Sequence, residues 1–205
     1  MTIRPGEEWG SVQEAPPSTR WFTSESALGA YLAYAHGDEP VGLTQGDLYR
    51  ITGKSSSTLL VPVDLIEISF LSAGATSHTR TVAISWVALG RWWSRSEVHV
   101  LSNTGFVDGR EWFVRSHPND ARVEHASISA TMDVRQRLMA RRRIARGLHF
   151  AHPLIAMETV TTWNWSGPAT QLVIDGQARG AVTQIEVSVR PDAQWIYVGQ
   201  PSTGL

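Results

Sequence analysis

A chain of 205 residues with 42% hydrophobic and 18% charged side chains has room for one sizeable core and the make-up of a folded domain, which excludes a disordered segment. A formal net charge of -1 gives no global attraction to nucleic acid or an anionic membrane, and the lack of cysteine excludes disulfide scaffolds and thiolate metal sites and fits a reducing, cytoplasmic setting. No window approaches the roughly 18 uninterrupted apolar residues of a membrane-spanning helix, and the start, MTIRPGEEWG, lacks the order of a secretory signal.

Residues 1–22 read as an irregular arm pinned by Trp9, Trp21 and Phe22, because aromatic rings bury large areas. Residues 24–36 predict a helix. Ser24 suits its cap and Glu25 its positive end; Ala27, Leu28, Tyr31, Leu32 and Ala35 share a face, and Gly37 stops it. Val41 to Leu43 predicts a short strand. The turn Thr44-Gln45-Gly46-Asp47 follows, then a short helical stretch to Thr52 and a loop over 53–57. From Thr58 the pattern turns to strands. Val61, Val63 and Leu65 alternate with Pro62 and Asp64, then Ile66, Ile68 and Phe70 alternate in the opposite phase, which predicts a bulge or bend. Val82 to Ala88 is a second alternating run. Further strands are expected at 97–102, 111–115, 157–163, 170–175, 182–189 and 194–198, with a hairpin at Asp175-Gly176. One helix, 132–146, interrupts them; Val134, Leu138 and Ala145 form its expected buried stripe and Gly147 its end. The expected fold is mainly β with some α: a two-sheet antiparallel sandwich over 58–205, preceded by the arm and a small α/β unit over 1–57.

Of the 18 basic residues only Lys54 is a lysine, and six arginines crowd one helix: Arg135, Arg137, Arg141, Arg142, Arg143 and Arg146. The plainer reading is a solvated face. The functional one is a site for phosphate or an anionic lipid headgroup, because guanidinium binds phosphate bidentately. Arg137, Arg141 and Arg142 are its candidate ligands; Arg137 and Arg141 lie about 40° apart at ~100° per residue. Nucleic acid is a weaker alternative for so short a run in a near-neutral chain. His149 and His152 stand three apart, but Pro153 argues for an extended segment and no third ligand is placed, so no metal site is expected. His117 and Asp120 form a polar pair that serves a ligand or a loop cap equally well. Trp92-Trp93, Trp163 and Trp165 read first as core and second as an apolar cleft. No P-loop, G-x-S-x-G or G-x-G-x-x-G occurs.

The stretch Gln171 to Val198 contains Ile174-Asp175-Gly176-Gln177, then Gly180, an alternating strand through Val189, Pro191-Asp192-Ala193 and Ile196. It resembles the closing hairpins of the diacylglycerol kinase-like bacterial lipid kinases, where the first motif reads I-D-G-E. Upstream, Val63-Asp64-Leu65 resembles the family's I-D-L-G strand, Val100-Leu101-Ser102-Asn103 its V-x-N strand, and Ser116-His117-Pro118-Asn119-Asp120 stands where the family has P-x-A-x-x-D-D-G. The order and rough spacing agree over about residues 58–198.

The resemblance implies the C-terminal sandwich of a lipid kinase, with Asp175 as the base and Gln177 where its acidic partner stands. Against this, Asp175-Gly176 is a tight turn on its own chemistry. The resemblance also implies that residues 1–57 are a shrunken remnant of the nucleotide-binding half. Thr44-Gln45-Gly46-Asp47 stands for the glycine-rich loop but offers one glycine, whereas a phosphate cradle needs unobstructed backbone N–H groups. The expectation is a lipid-kinase-like protein without independent ATP-dependent activity that binds a lipid or phosphorylated ligand. The alternatives are a non-catalytic interaction protein and a nucleic-acid binder through the arginine helix. The sequence names no cofactor.

Overall fold

The computed structural model describes residues 9–34, 39–52, 57–144 and 152–200. The arm is pinned as expected: Trp9 Nε1–H donates to the Pro62 carbonyl at 2.9 Å, and its ring meets His117 edge-on at 5.0 Å. β1 (Ser11–Val12) then lies along β4 (Leu59–Ser72).

β2 (Arg20–Phe22), α1 (Glu25–Leu32), β3 (Val41–Leu43) and α2 (Asp47–Ile51) follow. β2 and β3 pair in parallel with α1 as their crossover. Ser24 caps α1, its hydroxyl accepting from the Ala27 N–H at 3.3 Å. The expected face of α1 holds at Leu28, Tyr31 and Leu32, which pack on the core, but is shifted at its start. Ala27 is exposed, while Glu25, Leu28 and Gly29 are buried, because Gly29 lets the helix approach the Val82 carbonyl; a Cβ there would lie 2.8 Å from that oxygen. The expected helix end at residues 35–37 and most of the loop at 53–57 lie outside the described residues.

The remaining strands are β5 (Thr79–Ala83), β6 (Trp86–Leu89), β7 (Val98–Ser102), the small hairpin β8 (Phe106–Val107) and β9 (Arg110–Glu111), β10 (Val123–Ile128), β11 (Ile155–Val160), β12 (Thr162–Ile174) and β13 (Gln177–Val198). The expected strand at 111–115 shrinks to β9. β10 was not foreseen, because VEHASI mixes charge and imidazole into its alternation.

The fold is mainly β and mainly antiparallel, as the sequence indicates; the parallel pairs are β2–β3 and β3–β13. The layers are halves of one hydrogen-bonded sheet of eleven strands, along β1-β4-β13-β12-β6-β7-β10-β11, with β5 on β4 and β2 and β3 joined to β13. β11 pairs with β10 and β12 with β6, and only Thr161 separates β11 from β12. This bent strand therefore closes the β6–β7–β10 layer on itself. Ile66, Ile68 and Phe70 of β4 share one core cluster with Leu101 of β7 and Val123 of β10. Strands that far apart in a flat sheet, at about 4.8 Å per step, would not share a core, so the sheet folds over.

The phase slip in β4 is a bend. Val61, Val63 and Leu65 face one cluster, with Leu28, Val41, Leu43 and Leu48 of the α/β unit, while Ile66, Ile68 and Phe70 face the other. The bulge sits opposite, on β13: its pairing with β4 jumps from Arg190↔Leu65 to Gln194↔Val63. Three residues, Pro191-Asp192-Ala193, thus face the single Asp64. The expected hairpin is present, with φ 45° at Asp175 and 81° at Gly176, the left-handed pair of a tight two-residue turn.

α3 (Val134–Ile144) inverts the expected stripe. Val134 and Leu138 are 55% and 38% exposed, whereas Arg137, Ala140 and Ile144 are buried. Ala145, Arg146, Gly147 and His149 lie outside the described residues.

Candidate functional site

The motif segments converge on one carboxylate. Asp64, fully buried, accepts from the Asp192 N–H at 2.8 Å and Asn119 Nδ2 at 3.3 Å on one oxygen, and from the Ala121 N–H at 2.6 Å on the other. Its backbone N–H donates to the Pro118 carbonyl, and its own carbonyl accepts from Asn103 Nδ2 at 2.8 Å. Asn119 Nδ2 also donates to Asp192 Oδ1 at 3.0 Å. Ala121 and Asp192 hold φ of 63° and 49°, backbone geometry that the bonds to Asp64 help to hold. Burial pushes the Asp64 carboxyl above its usual range.

Asp175 holds a second node. One carboxylate oxygen accepts from the Ile84 N–H at 2.8 Å; the other accepts from Ser85 and Trp86 at 3.0 and 2.8 Å. The carboxylate clamps the β12–β13 turn onto the β5–β6 corner. Burial nevertheless raises its pKa to about 6, against the three donors that pull it down. Gln177 is exposed and pairs across the turn with Ile174.

α1 brings Glu25 to the turn before α2. Glu25 is 6% exposed and Oε1 accepts from the Leu48 N–H at 2.6 Å. Gly46, at φ 122°, leaves room for it; a Cβ there would fall 2.6 Å from Glu25 Cδ. Burial, then the Asp175 charge, pushes Glu25 up to about 8. Asp47 is raised by burial too, while its Oδ1 accepts from the Gly109 N–H at 2.9 Å and lies 3.7 Å from Arg50 Nε. Glu25 and Asp47, both buried, and the half-buried Asp175 thus form an acidic cluster where the α/β unit meets the sheet. The motif reading found Asp47 and Asp175; Glu25 was read only as a helix-end charge.

Asp120 accepts from the Arg122 N–H at 3.1 Å and pairs with the Arg122 guanidinium at 3.8 Å, so it caps its own loop beside the Asp64 node. Arg137 is 1% exposed and donates to the carbonyls of Trp92, Ser96, Ser129 and Met132 at 2.9–3.1 Å. These bonds make it a clasp between α3 and the loops beside it. Arg141 and Arg142 are exposed, and the Arg141 guanidinium stands 5.4 Å from the Trp93 ring centroid. Arg137 and Arg141 therefore do not converge on one exposed site, because backbone carbonyls claim the first. His152 Nδ1 accepts from the Leu154 N–H at 3.1 Å.

Two further features lie apart from these nodes, and the tryptophans that the sequence offered as core or apolar cleft line both: Trp163 the first, Trp92 and Trp93 the second. His99 Nδ1 and His125 Nε2 lie 3.2 Å apart in the interior, His125 Nδ1 is 2.9 Å from Glu158, and both rings lean on Trp163 at 5.1 and 5.2 Å. Burial holds His99 below the usual imidazole range. Glu158 and Trp163 also line an open cleft of about 850 Å³ between the end of α1 and the sheet, with Glu67, Arg80, Glu186 and Arg190. The second feature is an apolar slot of about 290 Å³ beneath α3, walled by tryptophans.

No protein-family model matches the chain, and no curated protein matches it. Solved structures do. A diacylglycerol kinase from Bacillus anthracis str. Sterne superposes with a TM-score of 0.61 at 10% identity, over 91% of this chain and 77% of that one. Yeast NADH kinase, solved with NADH, superposes with a TM-score of 0.51 at 10% identity, over 89% of this chain and 61% of that one. At this identity the likeness establishes a shared kinase-like fold.

Proposed function

We propose that this protein is a lipid-kinase-like binding protein that holds a lipid or phosphorylated ligand and carries out no ATP-dependent phosphoryl transfer of its own. The carrying observation is Glu25. A phosphate cradle works by aiming backbone N–H groups at an anion. Here the N–H of Leu48, at the start of α2, already donates to the Glu25 carboxyl, and the one glycine of the loop packs against that side chain. The side chain of α1 stands in the anion's place, and with a pKa near 8 it does so mostly protonated at neutral pH.

The second support is Asp175. Backbone donors occupy both its oxygens, Oδ1 twice and Oδ2 once, which leaves about one of its four lone-pair sites for a substrate proton and gives the carboxylate an anchoring task that a general base does not need. Gln177 carries no charge to assist it. The nucleic-acid alternative is weakened because Arg137 is spent on carbonyls. Incubation with labelled ATP, magnesium and diacylglycerol vesicles tests the reading. No labelled phosphatidic acid above a protein-free control is expected; turnover that Asp175→Asn abolishes overturns it.

A further inference from the structure

The outer face of β6 and β7 is roofed by α3 and flanked by the β8–β9 hairpin. The slot between them is walled by Trp86, Trp92, Trp112, Val100 and Ile144. It stays open at its base because the lining residue there, Ala88 on β6, is small; from α3, Arg141 and Ile144 line it. Its walls are stiff, since Trp92 meets Trp112 edge-on at 5.4 Å and Trp93 at 6.5 Å. The volume falls near the small end of the range for small-molecule pockets, roughly 300–1,000 Å³.

Two polar features mark its ends. Among the described residues Trp92 Nε1 is buried without an acceptor, although a buried indole N–H ordinarily finds one. At the mouth stand Arg110, Arg141 and Asp108. Arg110 pairs with Asp108 at 3.4 Å. Among the described residues no carboxylate lies within ion-pair distance of Arg141, whose guanidinium is held over the Trp93 ring instead. The mouth thus has one net positive charge, fixed by a cation–π contact over an apolar shaft.

We infer that this slot takes the hydrocarbon chain of an anionic single-chain amphiphile, with its phosphate or carboxylate headgroup on Arg141. The inference rests on the reading of the protein as a ligand-binding relative of lipid kinases, and it names the site and the ligand class. The chain gains from leaving water. The headgroup supplies the anion that Arg141 lacks, with acceptor oxygens in reach of charged donors.

The test is calorimetry on the full chain with dodecyl phosphate below its micelle concentration, with dodecanol and inorganic phosphate in parallel. Saturable 1:1 binding of dodecyl phosphate is expected, about tenfold weaker for dodecanol and undetectable for inorganic phosphate. Ala88→Leu fills the shaft and should weaken both amphiphiles at least tenfold. Arg141→Ala should cost about tenfold with dodecyl phosphate and leave dodecanol unchanged; Arg142→Ala, exposed on the same helix but outside the slot, should change neither. Thermal melts establish that each variant is folded, and Val173→Leu, also a slot residue, replaces Ala88→Leu if that one melts early. The inference is overturned by absence of saturable binding, by full binding in a folded shaft-filled variant, or by equal losses in Arg141→Ala and Arg142→Ala. Micromolar ATP binding by the same preparation overturns the nucleotide-free reading and leaves the slot standing. Loss of amphiphile binding with ATP still unbound overturns the slot alone.

Discussion

Replacing Glu25 by Gln should flatten the alkaline limb of the stability profile. The folded carboxyl is raised from 4.5 to about 8 by burial and by Asp175. In the unfolded chain it returns to its ordinary value, so between these limits the folded state holds a proton that the unfolded state has released. Stability is therefore highest below the unfolded value and falls as pH rises through the folded one. At about 1.4 kcal/mol per unit, the whole window amounts to on the order of 4–5 kcal/mol. The informative range is pH 7 to 9, above the titration of His99 and His117, which burial holds low. Over that range this one group should remove about 1.4 kcal/mol, or roughly 3–6 °C of melting temperature for a chain of this size. Gln keeps an oxygen for the Leu48 N–H and never ionises. Melts followed by circular dichroism at pH 7, 8 and 9 should show the wild type falling relative to E25Q by this amount, on top of the about 2 kcal/mol already lost by pH 6; the two converge only near and below the unfolded value of 4.5. Parallel profiles, or a wild type that gains on E25Q with rising pH, refute the reasoning.

Asp64→Asn leaves a side chain with one acceptor where three donors point, and should destabilise by about 3 kcal/mol or more in urea titrations. Arg137→Ala strips four carbonyls of their donor and removes a fully buried side chain, and should cost at least about 3 kcal/mol, whereas Arg142→Ala should stay within about 0.5 kcal/mol; equal effects in chemical denaturation would contradict the clasp. Gly46→Ala places a Cβ at positive φ against Glu25 and should cost about 1–3 kcal/mol, read as a lower melting temperature.

The strand framework was legible because alternation is imposed by burial on one face. The phase slip at Leu65 and Ile66 located the bend, and Asp175-Gly176 located the turn. β10 escaped because His125 and Glu124 occupy its pattern, and His125 is buried only through its partners on β7 and β11. α3 was misread for the same physical reason. Apolar periodicity selected Val134 and Leu138, but the interior there is a ring of carbonyls that only a many-donor cation satisfies, so Arg137 went in and the valine stayed out. The segments that resemble lipid-kinase motifs were recognisable one by one, yet their common dependence on Asp64 is a matter of distances that no local spacing encodes. Glu25 was invisible as the partner of Leu48 for that reason too: it lies 23 residues from Leu48 in sequence, and only the packing of α1 on the sheet puts its carboxyl at that N–H.

The central claim is that Glu25 closes the place where a nucleotide phosphate would sit. Calorimetric titration of the full chain with magnesium and ATP at pH 7 tests it most directly. The account predicts no 1:1 isotherm at micromolar concentrations; a micromolar 1:1 isotherm, lost in Gly46→Ala, would contradict it.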